Sequence, residues 1–263
     1  GVWSAPDNIF EYNPTGLTFG SLVTTGGAVD YDSAGDFDFT IRASRPLASN
    51  LDGTLYGSYL FRINSRTSTN NNFSILLSPA ATTPDLQAPL RVATPIDQAN
   101  TGNLRIHDAN DISRSFNFAA ESGFALGDTY LVLFKLVPGT SSTRSTADGW
   151  ILTEDQYDQF ATTGLQESAL NSAAIGTTSD RVWGRTSFTA FTDGALDARS
   201  FLGLSGFKNT FFDPTTALTL TADEIRISGT SLAEAAPTTI PEPTTAVLLG
   251  VGGLAMMRRR RVV

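Results

Sequence analysis

Apolar and polar residues alternate with a period of two in several segments of this chain. In Asp36-Phe37-Asp38-Phe39-Thr40-Ile41 the apolar residues fall on one side, the pattern of a strand with one buried face. In Tyr130-Leu131-Val132-Leu133-Phe134 every residue is apolar, which predicts a central strand covered on both faces. Runs of this kind, broken at short intervals by Gly, Asn, Asp and Ser, predict strands over residues 17–24, 37–43, 55–64, 73–78, 90–94, 104–107, 115–119, 129–137, 149–153, 186–191, 200–204 and 218–227. Helical signals are few: residues 153–160, with Thr153 as the cap, and 168–174. No internal repeat or long charge run divides the body, and 263 residues lie within the size of a single all-β domain. The pattern predicts one antiparallel β-sandwich.

From Leu232 the texture changes. Residues 232–240 read as a linker, running into Pro241-Glu242-Pro243, which can continue neither helix nor strand. Residues 244–257 carry no charge, and Arg258, Arg259, Arg260 and Arg261 follow at once. An apolar run closed by a basic cluster places the arginines on the cytoplasmic side and the large domain outside. At ~1.5 Å per residue the run spans only about 21 Å, against a hydrocarbon core of roughly 30 Å, so a transient inner-membrane anchor fits better than a permanent one.

Pro-Glu-Pro, an apolar run and a terminal arginine cluster, in this order, resemble the PEP-CTERM sorting signal. The resemblance implies that exosortase, a membrane transpeptidase, is a partner that processes the chain near Pro241, Glu242 and Pro243, with Arg258, Arg259, Arg260 and Arg261 as the cytoplasmic stop. The short, glycine-rich span departs from the pattern. A second resemblance covers the body: residues 55–62, 130–136 and Ala222-Asp223-Glu224-Ile225-Arg226-Ile227-Ser228-Gly229-Thr230 are similar to the concanavalin A-like jelly roll of laminin G-type modules. The implied organisation is a concanavalin A-like domain over residues 1–231, a linker over 232–240, and a sorting signal over 241–263 that includes a short C-terminal apolar helix.

Composition narrows the chemistry. The formal charge is −8; without the terminal arginines 14 basic residues face 26 acidic ones, a net of −12, so nucleic acid is not the expected partner. Cysteine is absent, which excludes disulfides and thiolate metal sites. The single histidine, His107, reads as a surface-strand residue, and a His-dependent nucleophilic triad would have to run through it alone. The chain opens on Gly1 without a methionine or apolar leader, which is expected of a chain whose signal peptide has been removed or which was trimmed.

Asp30, Asp32, Asp36 and Asp38 form the densest acidic group and are the candidate calcium ligands, although their spacing matches no calcium-loop pattern and a solvated turn is the simpler reading. No other cofactor is expected. A glycosidase needs two carboxylates flanking the scissile bond. The nearest strings, Glu154-Asp155-Gln156-Tyr157-Asp158 and Asp223-Glu224, lack the alternating spacing, and Glu224 and Arg226 are expected to share a strand face. Trp183 and Arg185, in Arg181-Val182-Trp183-Gly184-Arg185, are the candidate sugar-binding residues on an exposed turn; Trp150 is more simply core. Asn72-Phe73-Ser74 is an N-glycosylation sequon that reads here as a polar loop. The expected role is an exported, non-catalytic surface or extracellular-matrix protein with an adhesive or structural function and a polysaccharide or surface protein as partner. A lectin-like carbohydrate-binding module, calcium-assisted, is the alternative, and a glycan hydrolase is a third reading.

Overall fold

A computed structural model describes residues 10–32, 43–47, 53–66, 71–78, 90–96, 103–107, 116–119, 124–137, 145–170, 182–188, 201–207 and 218–238. Numbered in chain order, β1 (Phe10–Asn13), β2 (Ala28–Asp32), β13 (Leu218–Ser228), β4 (Leu55–Arg66), β9 (Thr129–Val137), β10 (Ser145–Leu152) and β11 (Val182–Phe188) lie side by side in a seven-stranded sheet. β3 (Ala43–Pro46), β12 (Phe201–Phe207), β5 (Asn71–Ser78), β6 (Leu90–Ile96), β7 (Asn103–His107) and β8 (Phe116–Ala119) form a six-stranded one. Every pairing is antiparallel. The chain passes repeatedly between the sheets, and its last strand, β13, closes the seven-stranded sheet between β2 and β4. This is a jelly-roll sandwich: the alternation predicts the antiparallel β-sandwich, and the resemblance of the body to concanavalin A-like modules implies the jelly roll.

The inner faces meet in an aromatic-rich core. Tyr59, Phe61 and Ile63 of β4 and Tyr130, Val132 and Phe134 of β9 pack with Phe73 and Ile75 of β5 and Leu202 and Leu204 of β12. Burying each large apolar side chain contributes about 1.5–3 kcal/mol. Gly57 leaves room for the Phe134 ring on the adjacent strand: a Cβ at that position would lie 2.1 Å from Cζ of Phe134.

A second core covers the back of the seven-stranded sheet. Leu60 of β4, Leu131 and Leu133 of β9, and Trp150 and Leu152 of β10 pack against Leu17, Phe19 and Leu22 of the 17–24 segment. The layer is completed by Tyr157 and Phe160 of α1 (Glu154–Thr162), Leu170 of α2 (Glu167–Leu170) and Leu232 at the start of α3 (Leu232–Ala235). Two cores explain why β9 is apolar at every central position. α1 starts where the sequence places it: Thr153 accepts from the Gln156 backbone, and the Gln156 side chain accepts from the Thr153 backbone, a complete capping box.

Several expectations are corrected. Residues 17–24 form no strand; they cross the outer face of the sheet as a loop and bury Leu17, Phe19 and Leu22 in the second core, which imitates the spacing of a strand without a ladder. β1 and β2 were not anticipated, because their polar residues obscure short alternations. Residues 182–188 are a strand, so the segment holding Trp183 and Arg185 is not an exposed turn. The sequon lies in β5, not a loop. Of the predicted strand at 37–43 only Ala43 is described, and it begins β3; α2 ends at Leu170, and the rest of the predicted helix at 168–174 lies outside the described residues.

The linker boundary also differs. Residues 232–235 form α3, with Leu232 and Ala235 buried, because Ser231 caps the helix and its apolar residues fill the second core. A short helix therefore does stand near the C-terminus; the apolar run at 244–257 lies outside the described residues. No helix among the described residues is long and apolar enough to cross a membrane.

Candidate functional site

The most heavily charged buried site among the described residues lies where β13 parts from β2. Their pairing ends at Ala222–Val29, and beyond it β13 carries one extra residue, so that Glu224 and Ile225 together face Tyr59 of β4. Glu224 adopts a left-handed backbone, φ 51°, which costs a non-glycine residue energy. The bulge reverses the alternation of the strand: Leu218, Leu220 and Ala222 face the core before it, and Ile225 and Ile227 pack against the core after it. Asp223 thereby joins Glu224 and Arg226 on the outer side.

These three side chains hold the loop of residues 17–25. Asp223 accepts from the backbone N–H of Leu17 at 2.6 Å and of Glu224 at 2.7 Å. Glu224 accepts from the Thr25 backbone and, at 3.0 Å, from the Thr25 hydroxyl. Arg226 donates to the Val23 carbonyl at 2.5 Å and pairs with Glu224 through the same nitrogen; its Nη1 is buried with no hydrogen-bond partner among the described residues. Burial raises the Asp223 carboxyl above its ordinary value, with the Leu17 and Glu224 N–H groups pulling the other way. A pocket of about 220 Å³ opens beside this clasp, lined by Thr25, Val29, Arg45, Glu224 and Arg226. The expectation that Glu224 and Arg226 share a face holds. Their contacts, and those of Asp223, are to a loop of the same chain.

The calcium candidates divide. Asp30 is a link in a polar row on the outer side of the sheet: it accepts from Nδ2 of Asn13 at 2.9 Å and from the Thr221 hydroxyl at 2.7 Å. Asn64 continues the row to Thr221, and Arg62 to Asn64. Asp32 ends β2, paired with Thr219; Asp36 and Asp38 lie outside the described residues, among which no cluster of three metal-binding side chains occurs. Trp150 is buried in the second core, and the register sets Trp183 beside it and Arg185 beside Asp148. Glu154 and Asp155 open α1 and line a groove of about 430 Å³ with Asp128 and Thr18, while Asp158 accepts from the Ser21 backbone at 2.7 Å. His107 ends β7, paired with Arg91 of β6.

The C-terminal segment is anchored up to Thr238. The hydroxyl of Tyr157 donates to the Ala236 carbonyl at 2.8 Å, and that of Ser58 donates to the Ala235 carbonyl. Burial pushes the Tyr157 phenol well above its usual range. Pro237 accepts from the Val23 backbone at 2.9 Å, and Thr238 bridges to Leu22. One loop is thus held by the β13 clasp on one side and by the C-terminal strap on the other. A sequence match begins at the next residue and runs to the arginines: residues 239–261 fit the family model of the PEP-CTERM protein-sorting motif. The chain ends in a PEP-CTERM sorting motif.

Such a motif marks export to the surface with a membrane-associated tail. Pro241, Glu242, Pro243 and Arg258 to Arg261 fall inside the matched span and outside the described residues. No curated protein matches this PEP-CTERM chain. Among solved structures it is similar to an endo-β-1,4-glucuronan lyase from the fungus Trichoderma reesei, with TM-score 0.52 and 8% identity over 90% of this chain and 93% of that one. An alginate lyase from Aplysia kurodai follows at TM-score 0.46 and 8% identity, over 79% and 87%. Peanut lectin stands at TM-score 0.38 and 8% identity, over 86% and 94%. At such identity the first of these speaks to the fold alone.

Sequence reasoning missed the strap. Its signal was present: Ser231-Leu232-Ala233-Glu234 is the Ser-x-x-Glu pattern of a helix start, and Ser231 does accept from the Glu234 backbone at 3.3 Å.

Proposed function

We propose that this protein is a surface-displayed, non-catalytic adhesive module: exported, held briefly in the inner membrane by its tail, released by exosortase near Pro241 to Pro243, and retained at the cell surface or extracellular matrix. The observation that carries the reading is the sorting motif beginning directly after the last anchored residue, Thr238. From Thr238 to Pro241 the chain reaches at most about 10 Å. The layer holding α3 and the 17–24 loop is therefore the side turned toward the membrane during processing. Carbohydrate is the ligand class we favour for the displayed domain, since a large sandwich outside the cell meets polysaccharide first.

The reading predicts a fractionation result. With Arg258 to Arg261 replaced by serine, the protein shifts out of the surface fraction, while the natural chain is recovered there. Equal partition of both forms contradicts it.

A further inference from the structure

The residues just ahead of the sorting motif already have partners inside the domain. Three successive carbonyls of the strap are each given a donor: the Ser58 hydroxyl for Ala235, the Tyr157 hydroxyl for Ala236 and the Val23 backbone for Pro237. Thr238 then pairs with Leu22 as an isolated antiparallel bridge. Burial falls off along the same line, from Ala235 and Ala236, which are fully covered, to Pro237 and Thr238, which are partly buried. The outermost two contacts are therefore the least costly to open. Val23 ties them to the clasp, since its N–H donates to Pro237 and its carbonyl accepts from Arg226. Docking of the strap thus depends on β13, the last strand of the sandwich.

The sorting motif begins at residue 239, two ahead of Pro241. An enzyme that reads a peptide takes it extended, with the peptide backbone paired to its own. Roughly four residues upstream of Pro241, about 13 Å of extended chain, reach back to Pro237. The backbone of Pro237 and Thr238 faces the 17–25 loop and cannot face an enzyme groove at the same time. We propose that processing by exosortase requires Pro237 and Thr238 to leave the 17–25 loop, so that undocking of the strap sets the rate at which the folded domain loses its tail. The inference rests on the processing reading above and adds its regulation. A docked strap holds back the cut, and on the processed chain the strap docks again.

The test is a clamp across the bridge. The chain contains no cysteine, so a single introduced pair forms an unambiguous disulfide. The Val23–Pro237 hydrogen bond makes Leu22 and Thr238 a non-hydrogen-bonded antiparallel pair, with Cα atoms ~4.5 Å apart, inside the range a disulfide spans. The full chain carrying Leu22→Cys and Thr238→Cys is expressed in the native cells, and loss of the tail is followed by pulse-chase and intact mass. The oxidised pair is expected to slow the cut by about tenfold or more, and dithiothreitol to restore it to the rate of Leu22→Cys alone. A spacer of about six Gly and Ser residues between residues 238 and 239 adds about 20 Å and lets an enzyme reach the motif past a docked strap. With it, the clamped chain is expected to be cut at least as fast as the natural one. The spacer lies outside the anchored residues, so it tests the proposal even where the clamped domain misfolds: in the unclamped chain it is expected to speed the cut. Equal rates for the natural, oxidised and spacer forms overturn the proposal and leave the processing reading standing. A clamped chain that stays uncut despite the spacer also overturns it, because the block then lies elsewhere. A natural chain that keeps Val263 throughout overturns both.

Discussion

Asp223 is the residue on which the clasp depends most, because each of its carboxylate oxygens accepts a backbone N–H. In Asp223→Asn one of those acceptors becomes an NH2 group, which leaves a buried N–H without a partner. The expected cost is about 1–3 kcal/mol in chemical denaturation, even though a buried charge has been removed. The pH dependence carries a second, independent sign. Burial sets the folded carboxyl above its ordinary value, so between that value and the folded pKa the folded chain holds more proton than the unfolded one. Asp223 therefore loses stabilising effect as pH rises through that window. The deficit of the Asn variant is largest at the acid side and narrows upward. A deficit that widens with pH would contradict a carboxyl dominated by burial.

Among the elements, α3 and the strap that follows it are the ones whose role the sequence concealed. Proline, alanine and threonine at 236–239 look like linker chemistry, yet Leu232, Ala235 and Ala236 are buried. A chain ending at Thr238 is expected to keep the thermal midpoint of the full protein. A chain ending at Ser231 loses the Leu232 packing, worth about 2–5 kcal/mol, and leaves the Tyr157 hydroxyl without its acceptor. At roughly 2–4 °C per kcal/mol the midpoint falls clearly. Equal midpoints for the two truncations would mean that the strap does not stabilise the domain. The strands were legible where one face is buried and the other wet, as in β4, and where both are buried, as in β9. The 17–24 loop deceived the same reading, since alternation records which residues are covered and not whether the backbone pairs. The bulge at Glu224 was not legible, because its φ is imposed by loop contacts almost 200 positions away in sequence.

For the whole molecule, the α3 layer on the outer side of the seven-stranded sheet leads directly into the sorting motif. The tail was readable from sequence because its three parts are contiguous. The clasp of Asp223, Glu224 and Arg226 was not, since it depends on a bulge and on loop contacts that no local pattern fixes. Of the calcium candidates, Asp30 is held within the sheet by Asn13 and Thr221, a partnership set by neighbours distant in sequence. The central claim is that the folded body ends at the strap and that the tail is a removable address. Intact mass of the protein recovered from the native cell surface tests it directly. The account predicts a chain ending near Pro241 to Pro243, with the strap to Thr238 retained, and an uncleaved chain when Arg258 to Arg261 are replaced by serine. Surface protein that still carries Val263, with the serine form indistinguishable from it, would contradict the account.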